Sequence, residues 1–171
     1  MEADAMPPAQ RFTAPDGVSL AWYELAEGDG PPIVLQHGFS SSTYHEWVEC
    51  GIAAALAGLG RRLIGLDARG HGRSDTPHDT RFYGGDLMAR DMMELVTGLG
   101  LQSYDLAGYS MGGGIAASVA AQDSRVRRVV ISGIGEAIVT GKRPFRTAAL
   151  AAAFRADSED GLNDMERNMR R

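Results

Sequence analysis

The chain has 171 residues, of which 44% are hydrophobic and 23% are charged, a composition typical of an ordinary globular protein and not of a disordered or fibrous one. Its formal net charge of -5 argues against nucleic acid as a partner, because phosphate binding needs a basic surface. The single cysteine, Cys50, excludes an intrachain disulfide, and no segment approaches the ~18 consecutive apolar residues of a membrane span.

The first ten residues are acidic and contain two prolines, without the basic start and apolar centre of a signal peptide. We therefore expect a cytoplasmic protein with neither a membrane nor a nucleic acid as partner. The length alone favours one domain.

A predicted β-hairpin opens the chain. Arg11 to Thr13 and Val18 to Leu25 have the character of strands, and the turn residues Ala14 to Gly17 lie between them. Ile33 to Leu35 is a short unbroken apolar run, which favours a strand that is buried on both faces and therefore belongs to a parallel sheet.

Helices and strands alternate from there onward. The sequence predicts helices over Trp47 to Leu59, Met88 to Leu99 and Gly113 to Gln122. It predicts strands between and after them, over Leu63 to Leu66, Tyr104 to Ala107 and Val126 to Ile131. Such alternation after a hairpin is typical of a mostly parallel sheet covered by helices. Beyond Ser132 the regularity weakens.

The sharpest motif is Gly108-Tyr109-Ser110-Met111-Gly112, a G-x-S-x-G pattern between the predicted strand that ends at Ala107 and the following helix. A serine there must lie on a tight strand-to-helix turn, and Gly108 and Gly112 are needed because side chains would collide with neighbouring backbone. The turn lifts the Ser110 hydroxyl above the sheet and directs the helix N-terminus at it.

A second motif, His37-Gly38-Phe39, follows the strand Ile33 to Leu35, where the same architecture needs another backbone N–H donor. The sequence here resembles the α/β-hydrolase superfamily, in the branch of small esterases, lactonases and cofactor-free haloperoxidases. Three blocks between about Phe12 and Gly133 carry the resemblance: Gln36 to Ser40, Asp67 to Asp75 and Gly108 to Gly112.

The resemblance implies an α/β-hydrolase fold, with an N-terminal hairpin followed by a mostly parallel sheet flanked by helices and truncated after about six strands. Residues 1–133 would form the N-terminal portion of the core domain, and residues 134–171 the start of a cap segment, helical or partly disordered. The resemblance implies that Ser110 is the nucleophile and that the backbone amides of Phe39 and Met111 form the oxyanion hole. The residues implied to support the oxyanion loop and the turn at the serine are His37, Gly38, Gly108 and Gly112.

Some polar residues in the matching blocks have simpler interpretations. The resemblance implies that His37 shapes its loop and is not a base, because in the matching family this position organises the oxyanion loop. Arg69 and His71 are expected to brace the turn after the third parallel strand. Asp67 resembles a triad acid in its position at a strand end, but the better interpretation is that it fixes its own loop.

The family's triad order, serine then acid then histidine, is broken in this sequence. The four histidines, which all precede Ser110, are His37, His45, His71 and His78. The residues after Ser110 are too few for a cap, further strands and a loop that carries the histidine. Glu136 lies where certain haloalkane dehalogenases of the family carry their acid, although a surface charge is the alternative interpretation. A serine without its base is a poor nucleophile.

Three hypotheses remain open. The first is a serine hydrolase for a small-molecule ester, lactone or related acyl substrate, incomplete in this chain. The second is a non-catalytic fragment or interaction module. The third is an enzyme in which His45 or His78 acts as the base for Ser110. No metal-ligand spacing, phosphate loop or dinucleotide fingerprint occurs, so neither a metal nor a cofactor is expected. The strand Val126 to Ile131 would form an open apolar edge suited to self-association.

Overall fold

The computed structural model describes residues 6–84 and 86–135, whose elements lie in one compact unit, Met1–Ile134. Six strands in this part of the chain form one sheet, in the order β1-β2-β4-β3-β5-β6. Their bounds are β1 Gln10–Thr13, β2 Ser19–Ala26, β3 Ile33–Gln36, β4 Leu63–Leu66, β5 Tyr104–Tyr109 and β6 Val126–Ser132.

The sheet is antiparallel at its N-terminal edge and parallel beyond it. β1 pairs with β2 and β2 with β4 in antiparallel register, whereas the pairs β3 with β4, β3 with β5 and β5 with β6 are parallel. This is the predicted arrangement of a hairpin followed by a parallel sheet. The carboxyl ends of β3 and β5 lie side by side, because Gln36 is in register with Gly108.

Three α-helices connect the parallel strands: α1 Ile52–Ala57, α2 Leu87–Gly98 and α3 Met111–Gln122. The prediction of one helix from Trp47 to Leu59 is wrong. A π-helical turn, Tyr44–Val48, precedes α1, and Gly51 between them has a φ of 79°. That left-handed backbone interrupts the helical hydrogen-bond ladder, although the apolar residues keep a helical spacing.

Apolar clusters cover the two faces of the sheet. Val34, Ile64 and Leu106 pack with residues of α2 and α3 on one face, and Leu35 and Leu63 pack with residues of the π-helical turn and α1 on the other. All four residues of β3 are buried, which confirms the predicted strand with two covered faces. Met92 of α2 is fully buried on the first of these faces.

β6 forms one end of the sheet within the described residues. Three consecutive apolar side chains on it are exposed: Val129, Val130 and Ile131. The apolar edge predicted from the sequence is therefore present in this part of the chain, whereas self-association through it stays a prediction. In residues 6–84 and 86–135, no helix has the length and apolar character that a membrane crossing requires.

The predicted cap segment, residues 134–171, falls almost entirely outside the described residues. Its boundary with the core domain at residue 133 stays a prediction. The same holds for Glu136, the candidate acid, about which the structure makes no statement.

Candidate active site

Ser110 is the single residue between β5, which ends at Tyr109, and α3, which begins at Met111. Its backbone has φ 52° and ψ -115°, a conformation that costs a non-glycine residue about 1–3 kcal/mol. Both backbone groups of Ser110 are held: its N–H donates to Ser132 O at 2.8 Å, and its carbonyl accepts from Gly114 N at 3.1 Å. The strained turn therefore lies where the G-x-S-x-G motif predicts it.

The glycines on either side of Ser110 are in close backbone contact. A methyl group at Gly108 would collide with Gly112 O, and one at Gly112 would collide with Gln36 O and lie 2.6 Å from His37 O. Neither position has room for a side chain. The contacts of Gly112 place the first turn of α3 directly against the end of β3 and the residue that follows it.

The loop after β3 lies against Ser110. An ideal methyl group at Gly38 would lie 3.4 Å from Ser110 Cβ and 3.3 Å from Tyr109 Cδ1. The two motifs that the sequence presents far apart are therefore in van der Waals contact in the fold.

His37 orients the backbone of this loop. It is fully buried, and its Nε2 accepts from Ala68 N at 3.0 Å, so Nδ1 must carry the ring proton and donate to Gly38 O at 2.7 Å. Burial lowers the pKa of His37, which favours this neutral form. Because the C=O and N–H of one trans peptide point in opposite directions, holding Gly38 O also sets the direction of the Phe39 N–H.

The two amides predicted as oxyanion donors have no hydrogen-bond acceptor among the described residues. Among the described residues, neither Phe39 N nor Met111 N donates a hydrogen bond. Met111 is the first residue of α3 and precedes the first donor of that helix, Gly114. A helix leaves such leading N–H groups unpaired, and its dipole favours negative charge there.

None of the four histidines is placed as a base for Ser110 by a hydrogen bond among the described residues. Both ring nitrogens of His37 are engaged. His45 is exposed and pairs with Glu49 at 2.9 Å, and His78 is exposed. His71 Nδ1 lies 3.0 Å from Arg69 O, to which it can only donate, and its ring lies 5.6 Å from that of Phe39. The hypothesis that His45 or His78 serves Ser110 gains no contact here.

Asp67 fixes its own loop, as predicted. Its buried carboxylate accepts from Arg73 N at 2.9 Å, from Thr43 N at 2.8 Å and from the Tyr23 hydroxyl at 2.8 Å. Both of its carboxylate oxygens accept from neighbouring backbone or side-chain groups. This network ties the segment after β4 to β2 and to the loop after β3.

Arg69 braces the turn after β4, as predicted. Its guanidinium is 1% exposed and bonds both carboxylate oxygens of Asp91, at 2.7 and 2.6 Å, as well as Asp16 and the Phe82 carbonyl. Burial raises the pKa of Asp91, and the arginine opposes that rise. The arrangement links the N-terminal hairpin, the loop and α2.

Glu46 is a site residue that the sequence reasoning missed. It lies in the π-helical turn, and its Oε2 accepts from Gly38 N at 3.3 Å. No motif includes it, because the contact joins a loop to a turn eight residues later.

No group of metal-ligating side chains occurs in residues 6–84 and 86–135.

Comparisons with known proteins agree with this fold. A family model described as alpha/beta hydrolase fold matches residues 31–169. The dihydrolipoyllysine-residue acetyltransferase component of the acetoin cleaving system from Pseudomonas putida is 33% identical over 140 residues, or 78% of this chain and 36% of that protein. An sn-1-specific diacylglycerol lipase of Xenopus tropicalis is 39% identical, over 61% of this chain and 32% of the lipase.

A solved structure, epoxide hydrolase A from Mycobacterium thermoresistibile, matches with a TM-score of 0.64 and 27% identity, covering 72% of this chain and 38% of that one. The chain thus spans between 32% and 38% of the length of these three relatives.

Proposed function

Since the chain belongs to the α/β-hydrolase family, we propose that it carries the nucleophile-bearing part of a serine hydrolase that acts on an ester, lactone or related acyl substrate. The observation that carries the proposal is the strained turn at Ser110, flanked by two amides without acceptors among the described residues. A partly exposed serine near such donors is the arrangement that acyl transfer requires.

The proposed reaction runs through an acyl-serine. Ser110 Oγ bonds to the acyl carbon while a base takes the hydroxyl proton, and the carbonyl oxygen becomes an oxyanion that accepts from Phe39 N and Met111 N. The bond to the leaving group then breaks, and the leaving oxygen receives the proton. Water hydrolyses the resulting ester and restores the Ser110 hydroxyl.

We place the general base that takes the Ser110 proton outside the described residues. His37 does not serve, because its two nitrogens hold Ala68 N and Gly38 O. No histidine follows Ser110 in the sequence, and the chain spans about a third of its curated relatives. We assign the base to a segment of the whole protein that this sequence does not contain.

The identity of the nucleophile favours acyl substrates over epoxides. A serine oxygen that opened an epoxide would form an ether, which water does not readily cleave, whereas its attack on an acyl carbon forms a hydrolysable ester. The diacylglycerol lipase relative is named for an acyl substrate. Exposed Phe39 and Tyr109 next to Ser110 favour an acyl group with apolar substituents.

A fluorophosphonate probe tests the proposal, because it phosphonylates an activated serine. Labelling is measured on this chain and on a version extended along its natural reading frame, with the adduct located by peptide mass spectrometry. We expect an adduct on Ser110, faster in the extended protein and absent in Ser110→Ala. An extended protein that stays unlabelled at Ser110 would contradict the proposal.

A non-catalytic interaction module is the second candidate, favoured by the exposed apolar edge of β6. Val130 is 62% exposed and lies on a strand whose outer edge is unpaired among the described residues. Such an edge can pair with a second copy of the chain. Sedimentation velocity distinguishes this role: a dimer that becomes a monomer in Val130→Lys supports it, and a monomer at all concentrations excludes it.

A further inference from the structure

The Glu46 carboxylate and Ser110 both lie next to Gly38. The Gly38 N–H donates to Glu46 Oε2 at 3.3 Å. A single point, where a Gly38 methyl group would be, lies 3.3 Å from Glu46 Oε2 and 3.4 Å from Ser110 Cβ. Gly38, which precedes Phe39, therefore lies close to both the Glu46 side chain and the serine.

Glu46 is itself held in place by its backbone. Its N–H donates to Ser42 O at 3.0 Å, and its carbonyl accepts from Cys50 Sγ at 2.7 Å. The next residue, Trp47, is buried in the core cluster on that face of the sheet. A π-helical turn, a feature that frequently marks functional sites, presents the carboxylate to Gly38.

Gly38 is then fixed through both of the peptides that it joins. Glu46 accepts from its N–H, and His37 donates to its carbonyl oxygen. The carbonyl of Gly38 and the N–H of Phe39 belong to one planar peptide, so any rotation of the Gly38 backbone also rotates the Phe39 N–H. His37 holds the carbonyl oxygen of Gly38, and Glu46 holds the N–H of Gly38.

We infer that Glu46 is a positioning residue of the oxyanion loop: its carboxylate holds Gly38 so that the Phe39 N–H keeps its direction toward the substrate at Ser110. This inference rests on the proposed function for its catalytic meaning. The side chain acts through Gly38 and makes no contact of its own with the reacting atoms. Loss of one oxyanion donor costs about 10²–10³ in turnover, and a misdirected donor should cost less, about tenfold to a hundredfold.

The glutamine variant separates a hydrogen-bond role from a charge role. Glu46→Gln keeps an oxygen that can accept from Gly38 N, whereas Glu46→Ala removes it. We expect the glutamine variant to label at Ser110 within a few-fold of the unmodified rate and the alanine variant to label about tenfold to a hundredfold more slowly. Glu49→Ala, three residues further along and exposed, is the matched control and should label at the unmodified rate.

Amide NMR of this chain tests the contact without relying on any chemistry at Ser110. The Gly38 amide shift should follow the titration of the Glu46 carboxylate, lose that dependence in Glu46→Gln and keep it in Glu49→Gln. The neighbouring titratable groups His37, His71 and Asp67 are unchanged in both variants. The Phe39 amide should also move in Glu46→Ala.

The outcomes separate this inference from the proposed function. A Gly38 amide that ignores the Glu46 titration overturns the inference, whatever happens at Ser110. Labelling of Glu46→Ala at the unmodified rate, or equal slowing in Glu46→Ala and Glu46→Gln, also overturns it while leaving the serine hydrolase intact. An unlabelled Ser110 together with a responsive Gly38 amide contradicts the proposed function and supports the contact.

Discussion

Gly112 lies so close to Gln36 that a methyl group on its Cα would collide with the Gln36 carbonyl oxygen. The contact joins the first turn of α3 to the end of β3. It brings the Met111 amide and the loop that carries Phe39 to the same end of the sheet. The candidate site therefore requires that residue 112 carry no side chain.

Replacing this glycine should therefore destabilise the fold. Gly112→Ala places a carbon against backbone atoms that cannot move independently, and we expect the free energy of unfolding to fall by about 1–3 kcal/mol. Urea denaturation measures the change. Gly98→Ala is the matched control: it also lies in a helix but has open space at Cβ, and it should be neutral or stabilise by up to about 1 kcal/mol. Equal effects at the two positions would argue against the close contact.

The strain at Ser110 gives a prediction of opposite sign. Glycine adopts positive φ without a Cβ clash, so Ser110→Gly should unfold with a free energy about 1 kcal/mol higher than that of Ser110→Ala, which keeps the clash and also lacks the hydroxyl. Urea denaturation of the two variants side by side gives the difference. A glycine variant less stable than the alanine variant would mean that the turn is relaxed in solution.

Much of this turn could be predicted from the sequence because its causes are local. Glycines at 108 and 112 report the lack of space at those positions, and an unbroken apolar run at β3 reports burial on both faces. The π-helical turn could not be predicted, since the apolar spacing from Trp47 onward fits a regular helix. The contact of Glu46 with Gly38 and the pairing of Arg69 with Asp91 depend on chain segments that meet only in the fold.

Acidification should weaken the fold through His37. Burial lowers its folded-state pKa below the ordinary value, so between the two values the unfolded chain binds the proton that the folded chain rejects. Stability should therefore decrease as the pH falls from 7 through the ordinary pKa of about 6.5, with a slope of at most about 1.4 kcal/mol per pH unit from this group.

Urea denaturation at several pH values between 7 and 5 measures this dependence. His37→Gln should be less stable at pH 7 and show a flatter profile. A profile that is unchanged by His37→Gln would show that this histidine is not buried in its neutral form.

Arg69 should be essential for stability because it compensates a buried charge. Arg69→Ala leaves the buried Asp91 carboxylate without its bidentate partner, and we expect a loss of about 3–5 kcal/mol in the free energy of unfolding. Arg81→Ala, which breaks an exposed pair with Asp79, should change stability by no more than about 0.5 kcal/mol. Thermal and urea denaturation of the two variants check the contrast. If Arg69→Ala lost little of the free energy of unfolding, Arg69 would have to be exposed to solvent and not paired with a buried carboxylate.

The central claim is that Ser110 faces the amides of Phe39 and Met111, and a crystal structure of the phosphonylated protein tests it most directly. A phosphonyl oxygen on Ser110 mimics the oxyanion of acyl transfer. We predict that this oxygen lies about 2.7–3.1 Å from both Phe39 N and Met111 N. A phosphonyl oxygen that points into solvent, with neither amide within hydrogen-bond distance, would contradict the account.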